Sequence, residues 1–321
     1  MKTQKGAALL VAMLTVALVA TLSSAALWQQ WRQVEIESAE RGRSQTAWMM
    51  TGALDWTRLI LQEDARAQQG GQVDHLGEPW ALPVQESKLS TFLSQDQKWQ
   101  EGDAEVFLSG HINDAQSRLN VRNLVDNGKI AAPELMAWVR LFERLNLPLS
   151  ELESLTRQLP VALASTNGSA TEKPSATAPL MPQRSAQLVW LGLSAPTLAA
   201  LDNFITVLPE PTPINLNTAP AEVLMASVPG LDLASARQLV AQRERAHWES
   251  LEAARQTLGP WGRSLDDKRH SVQSQYFEIH GRMRIDNVVQ QERALVKREG
   301  TLVRMLWRVR SPLAAPTAAL Q

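Results

Sequence analysis

The chain has 321 residues, a formal net charge of −1 and no cysteine. That length allows two or three packed domains, or one domain carrying a large insertion. The missing cysteines exclude disulfides, thiolate metal sites and cysteine nucleophiles. The near-zero charge gives no long-range pull toward nucleic acid or acidic lipid. Eleven tryptophans stand against one tyrosine, a bias that core filling and membrane-interface anchoring accommodate.

Met1-Lys2-Thr3-Gln4-Lys5-Gly6 precedes an apolar run from Ala7 to Leu27, and no charged residue occurs between Lys5 and Arg32. As a helix this uncharged stretch spans roughly 36 Å, against about 30 Å of bilayer hydrocarbon. Trp28 and Trp31 fall where the helix leaves the membrane, and Lys2 and Lys5 hold the N-terminus in the cytoplasm. Three readings compete: a secretory signal peptide cut near Ser24-Ala25-Ala26, a plain signal anchor, and a short basic leader cut between Gly6 and Ala7. The following residues favour the third. From Trp28 to about Gln69 there is no proline and only two glycines, Gly42 and Gly52. Ala39, Ala47, Met50, Leu54, Thr57 and Leu61 recur at helical spacing, which predicts one continuous helix of roughly sixty residues.

Gly70-Gly71 ends that helix, and a second helix is expected over Ser87–Trp99. Glu105–Ile112 alternates as a strand, with Val106, Leu108 and Ile112 on one face. Residues 113–160 read as helical, including a helix opened by Pro133 that carries Leu135, Trp138, Val139 and Phe142 on one side. Residues 164–182 are low-complexity and read as a flexible loop. Another helix is expected over Ser194–Leu208. Thr218 is placed to cap a helix opening at Ala219-Pro220, Val228-Pro229-Gly230 makes a turn, and a second helix begins at Ser235, giving a helix–hairpin–helix over 214–245. The C-terminal part alternates again: Phe277, Ile279, Met283 and Ile285 point inward; Glu278, His280, Arg282, Arg284 and Asp286 outward. A strand over Val289–Arg298, a turn at Glu299-Gly300 and a strand over Leu302–Arg310 complete an antiparallel meander with one wet face. Val303, Met305, Trp307 and Val309 are expected on one side of the last strand.

The strand near 105 therefore has to pair with strands after 276, across a mostly helical interval. The fold class is α+β: a pilin-like head, in which a long N-terminal helix lies on an antiparallel sheet, with a large α-helical (SAM-like, helix–hairpin–helix) domain inserted into the sheet. The expected boundaries are a leader at 1–6, a transmembrane half-helix at 7–31, the first part of the head at 32–112, the inserted domain at 113–270 (113–160, the loop 164–182, then 184–270), head strands at 271–310 and a disordered tail at 311–321.

This layout resembles the general secretion pathway protein K family, the K minor pseudopilins of type II secretion. The resemblance runs nearly end to end. It rests on the leader, on Ile112-Asn113-Asp114-Ala115-Gln116-Ser117-Arg118-Leu119-Asn120-Val121, on Ile214-Asn215-Leu216-Asn217-Thr218-Ala219-Pro220 and on Tyr276-Phe277-Glu278-Ile279-His280-Gly281. Two departures are Ser117 where the family has glycine, and Ala7 as first mature residue in place of Phe or Met. The resemblance implies cleavage by the prepilin peptidase between Gly6 and Ala7, methylation of Ala7, and an inner-membrane anchor with a periplasmic head. It also implies partnership with the I and J minor pseudopilins, with H beside them, contact with inner-membrane lipid, and no cofactor other than calcium; the sequence itself offers no Gly-rich phosphate loop or serine elbow, so neither an enzyme nor a nucleic-acid partner is expected. Most pilin-like proteins carry a glutamate at the fifth mature residue, which is Val11 here; the first carboxylate in the chain is Glu35. In the family picture that glutamate neutralises a neighbouring subunit's N-terminal ammonium, and a carboxylate in lipid is costly unless paired. A subunit without one suits the topmost position of a filament.

Three further readings rest on particular residues. The Asn-Leu-Asn-Thr-Ala…Pro-Gly segment also resembles competence-type DNA receptors, which are membrane anchored. The phosphate-holding hairpin of such proteins needs a second glycine; the hairpin here is Pro229-Gly230-Leu231-Asp232, in which Asp232 repels phosphate. Calcium, as in some family members, has Asn113, Asp114, Asp126 and Asn127 as candidate oxygen ligands, although Asp and Asn are also turn and cap formers. Glu278, His280 and Asp286 share a face through strand alternation alone, and His75, His111, His247 and His270 show no ligand spacing.

Overall fold

A computed structural model of the protein describes residues 5–67, 73–88, 105–166, 178–285 and 288–311. It divides into two compact units, Met1–Ala53 and Leu54–Gln321. The expected long helix is present as α1, Lys5–Ala67, a single element of 63 residues. Within the first unit its large apolar side chains, from Leu9 to Ile36, are exposed.

The second unit opens with the last turns of α1 and is organised by a five-stranded antiparallel sheet. Its strands are β1 (Val84–Lys88), β2 (Val106–Asp114), β9 (Tyr276–Ile285), β10 (Val288–Glu299) and β11 (Leu302–Ser311), in spatial order β1-β2-β9-β10-β11. The chain leaves the sheet at Asp114 and returns at Tyr276, so β2 and β9 are neighbours in space: Val106 faces Ile285 and Asp114 faces Phe277 in one unbroken register. At the centre of this pair Gly110 opposes Gly281. A Cβ on Gly110 would stand 2.5 Å from the His280 carbonyl oxygen, so the close approach of the two backbones requires glycine there. One sheet face packs Phe277, Ile279, Ala294, Val296 and Val303 with Ile112, Trp80, and Leu54 and Leu61 of α1.

The interval between β2 and β9 builds a second core. It carries the short strands β3 (Leu119–Asn120), β4 (Val125–Asp126), β5 (Lys129–Ile130), β6 (Ile205–Thr206), β7 (Ile214–Asn215) and β8 (His270–Ser271). Its helices are α2 (Ala132–Arg144), α3 (Leu149–Thr166), α4 (Ala195–Leu201), α5 (Ala221–Ser227), α6 (Leu233–Arg243) and α7 (Leu251–Leu258). Caps set several helix starts: Ser194 accepts from the Thr197 amide, Asp232 from Ser235 and Ser250 from Ala253. Trp138, Leu141, Phe142, Leu155, Leu188, Val223 and Leu224 form part of one continuous apolar cluster.

Several expectations change. Residues 113–131 are not helical; they form the end of β2, short 3₁₀ turns and the strands β3 to β5, because their side chains cap and bridge rather than follow a helical stripe. Val84–Lys88 is a strand where a helix was expected to begin at Ser87, and the rest of that expected helix lies outside the described residues. The helix expected over Ser194–Leu208 stops at Leu201, and Ile205–Thr206 pairs with β3. The residues on the last strand's expected face divide: β11 shifts register between the Leu295↔Trp307 and Val296↔Met305 pairs, so Val303 and Met305 join one core while Trp307 turns to the other face with Tyr276. A bulge reverses the side of every residue beyond it. The outward face of β9 is also not simply wet: Glu278 is 6% exposed and Tyr276 fully buried, because Ala115 and Leu208 of the intervening region pack there. Asp286, most of the 164–182 loop and the tail from residue 312 lie outside the described residues.

Candidate functional site

Two features stand out, and each is built from segments singled out in the sequence. The first is the apolar part of α1. Ala7 to Leu27 carries no ionisable group, and the helix is long and apolar enough to cross a membrane. Three of its hydroxyls are turned back onto the helix: Thr15 donates to the Ala12 carbonyl at 2.9 Å, Thr21 to Leu18 at 2.9 Å and Ser24 to Ala20 at 2.8 Å. Such back-bonding satisfies polar atoms that lipid cannot. Ala7 lies in the first turns of α1, and Gly6 precedes it in the same helix. Val11 is exposed on the apolar run.

The second is a buried polar junction where the intervening region leaves and rejoins the sheet. Asp114, at the end of β2, accepts from the Gln116 amide at 2.7 Å, the Thr218 hydroxyl at 2.6 Å, the Asn215 side-chain amide at 3.0 Å and the Ser274 hydroxyl. Burial pushes its carboxyl above the usual range while these four donors pull it back. The Asn215 amide also reaches the Asp74 carbonyl and Ser274. The Asp74 carboxylate takes the Ser274 amide at 2.7 Å and the Arg298 guanidinium. Arg298, whose side chain is wholly inaccessible, also pairs with Asp64 of α1 at 2.7 Å and lies against the Phe277 ring, 4.7 Å from its centroid. Burial raises Asp74 to about 6 in spite of Arg298, and raises Glu78, which accepts from the His75 amide and the Trp80 indole, to about 7.

The alternate residues of the Asp114–Asn120 segment divide this work. The Gln116 side chain donates to the Pro213 carbonyl and accepts from the Gln275 amide. Arg118 pairs with Glu278. Asn120 accepts from the Leu208 amide and donates to the Glu210 carbonyl and Thr212. In the second segment Asn217 exchanges two bonds with the backbone of Trp248. Thr218 therefore does not cap α5 as expected; the N-cap is Pro220, without a side-chain bond, and the Thr218 hydroxyl is taken by Asp114. Sequence reasoning missed Asp64, Asp74, Ser274 and Arg298; Arg298 following Ala294 and Val296 on one strand face was an available signal.

The calcium candidates do not form one donor set. Asp114 is saturated by protein donors in the five-stranded sheet, beside Asn113. Asp126 and Asn127 belong to the β4–β5 hairpin, whose turn places Asn127 and Gly128 at φ 47° and 76°, the left-handed pair a two-residue hairpin needs. Asp64, Asp74 and Glu78 bring carboxylate oxygens within 4.8 Å of one another, but Arg298 supplies their counter-charge. Glu278 and His280 neighbour each other on β9, and Glu278 is held down at about 2: burial opposes ionisation, and His280, Arg293 and Arg118 outweigh it. The other histidines stack in pairs, His75 on His247 at 3.7 Å and His111 on His280 at 4.5 Å; His270 stands apart, buried on β8. In the helix–hairpin–helix, Gly230 turns at φ 78° and the Asp232 carboxylate caps α6, so an anion already occupies the helix start where phosphate would sit.

An apolar helix long enough to cross a membrane, continuous with an element of an antiparallel-sheet head, fits a pilin-like protein with a single-pass anchor. Two family models, both described as type II secretion system (T2SS), protein K, match residues 117–210 and 214–273. The type II secretion system protein K of Pseudomonas aeruginosa is 28% identical over 300 residues, covering 86% of this chain and 83% of that one. That of Pectobacterium carotovorum subsp. carotovorum is 25% identical over 334 residues, covering 95% and 96%. The fold matches a chain of the GspK-GspI-GspJ complex from the enterotoxigenic Escherichia coli type 2 secretion system, with a TM-score of 0.62 at 18% identity, over 85% of this chain and 98% of that one. Across these matches the chain is similar to the type II secretion system protein K family, the K minor pseudopilins, which are structural components of protein secretion. The comparisons lend nothing to a DNA-receptor reading.

Proposed function

We propose that the protein caps the pseudopilus: its α1 anchors it in the inner membrane, with the N-terminus cytoplasmic and the head periplasmic, and its head meets the I and J minor pseudopilins, with H next in line. The observation that carries this reading is an apolar helix with no acid at Val11. Because the chain brings no carboxylate to pair with a neighbouring ammonium, it has no subunit to satisfy above it. The prepilin peptidase cuts between Gly6 and Ala7, and the new Ala7 amine is methylated. The head is a pilin-type α/β unit into which the helical region between β2 and β9 is inserted; its girth ends a helical lattice rather than repeating in it. The protein makes no bond; assembly acts through binding. The test is to mix the full chain with the I and J pseudopilins in detergent. The proposal expects one three-component species on size exclusion, and secretion that falls in a Val11→Glu strain whose head folds normally. Separate elution of the chains, or unchanged secretion with Val11→Glu, contradicts it.

A further inference from the structure

Between the outer face of the sheet and the helical region lies a cavity of about 230 Å³. Arg118, Arg184, Arg293, Glu278, Leu295 and Trp307 are among its walls. We propose that this cavity is a binding site for a single carboxylate carried on an aliphatic body, as at the C-terminus of a peptide.

The charges in the wall do not balance. Glu278 spends one oxygen on Arg118, at 3.2 Å, and the other on Arg293. Arg184 has no ion-pair partner among the described residues. The Trp307 indole N–H is buried and has no acceptor among them either. The Arg184 guanidinium, without an ion-pair partner among the described residues, leaves room in the wall for one anionic acceptor, and a buried donor such as the Trp307 indole costs free energy until it finds a partner. The planar fork of Arg184 matches a carboxylate in two parallel hydrogen bonds. Leu295 and the Trp307 ring supply apolar wall for the body behind that carboxylate.

The same wall favours an anion with an apolar body over phosphate. Arg310 also lines it, 3.7 Å from Glu292, so the surface is positive toward any anion. The apolar side is what discriminates: a carboxylate on an aliphatic body covers Leu295 and the Trp307 ring, and phosphate gains nothing there.

The experiment follows the indole N–H signal of Trp307 in ¹⁵N-labelled full-length protein in detergent, assigned by its loss in Trp307→Phe. The probes are N-acetyl-leucine, N-acetyl-leucinamide and inorganic phosphate. The expected result is a saturating shift with N-acetyl-leucine in the millimolar range, as the few atoms of such a probe allow, and little or none with the other two. Arg184→Gln is expected to weaken the response at least about tenfold, the loss of one charge-assisted pair, with an unchanged melting temperature. No shift in the wild-type chain, an equal response to the amide, tighter binding of phosphate, or an unaffected Arg184→Gln each overturns the proposal.

Discussion

Between Ala7 and Leu27 every large apolar side chain is exposed, whereas at the junction Asp114, Asn215, Asp74 and Arg298 are almost wholly buried. One region puts hydrocarbon where water would be, the other puts charge where hydrocarbon would be. Each is costly in isolation. In the proposed reading the anchor is relieved by something outside the chain, a bilayer and neighbouring helices; the junction is relieved inside it, because its buried carboxylates meet donors. The difference teaches where the protein is self-sufficient. The junction holds its polar groups together without a partner, and the described part of the first unit is a single helix.

Substitutions separate the two regions, from the largest effect down. Arg298→Ala leaves Asp64 and Asp74 buried without a cation and is expected to cost about 3–5 kcal/mol, read as a lower urea midpoint; a loss under about 1 kcal/mol would put the junction's stability elsewhere. Asp114→Ala strands the Thr218, Asn215 and Ser274 donors, with an expected loss of about 2–4 kcal/mol in the same assay. Acid is expected to act next. Burial lowers His270 to about 4, so the folded chain keeps it neutral while the unfolded chain, at about 6.5, takes up a proton. Stability from His270 is thus present above pH 6.5 and lost as pH falls toward about 4, by up to about 3 kcal/mol. Melting temperature against pH measures this slope, and His270→Gln is expected to flatten it. Smallest is Glu37→Gln on the exposed part of α1, where the Glu37–Arg41 pair is open to solvent; less than about 0.5 kcal/mol is expected in helicity by circular dichroism.

The anchor was legible because its signal is local: hydropathy, the absence of charge and an unbroken helical stripe all lie in one window. The sheet was legible for a similar reason, since alternation in Phe277–Ile285 and around Val106–Ile112 left only one way to bury both. The junction was not. Asp114, Asn215, Ser274 and Arg298 come from four segments, and no pattern within a segment says which donor meets which acceptor. The segments were recognisable, yet Thr218 read as a cap because capping is the local use of threonine; a distant carboxylate took its hydroxyl instead. Trp307 was assigned to the wrong face because a bulge is invisible to an alternation rule. Residues 113–131 failed as helix because Asp, Gln and Asn there bond to partners far along the chain.

The most direct measurement is N-terminal sequencing of the protein from cells with and without the prepilin peptidase. The account predicts a mature chain that starts at Ala7, methylated, when the enzyme is present, and an uncut chain when it is absent. A chain that keeps Met1 in both strains, or one that begins near Leu27 because the apolar helix has been removed, would contradict it.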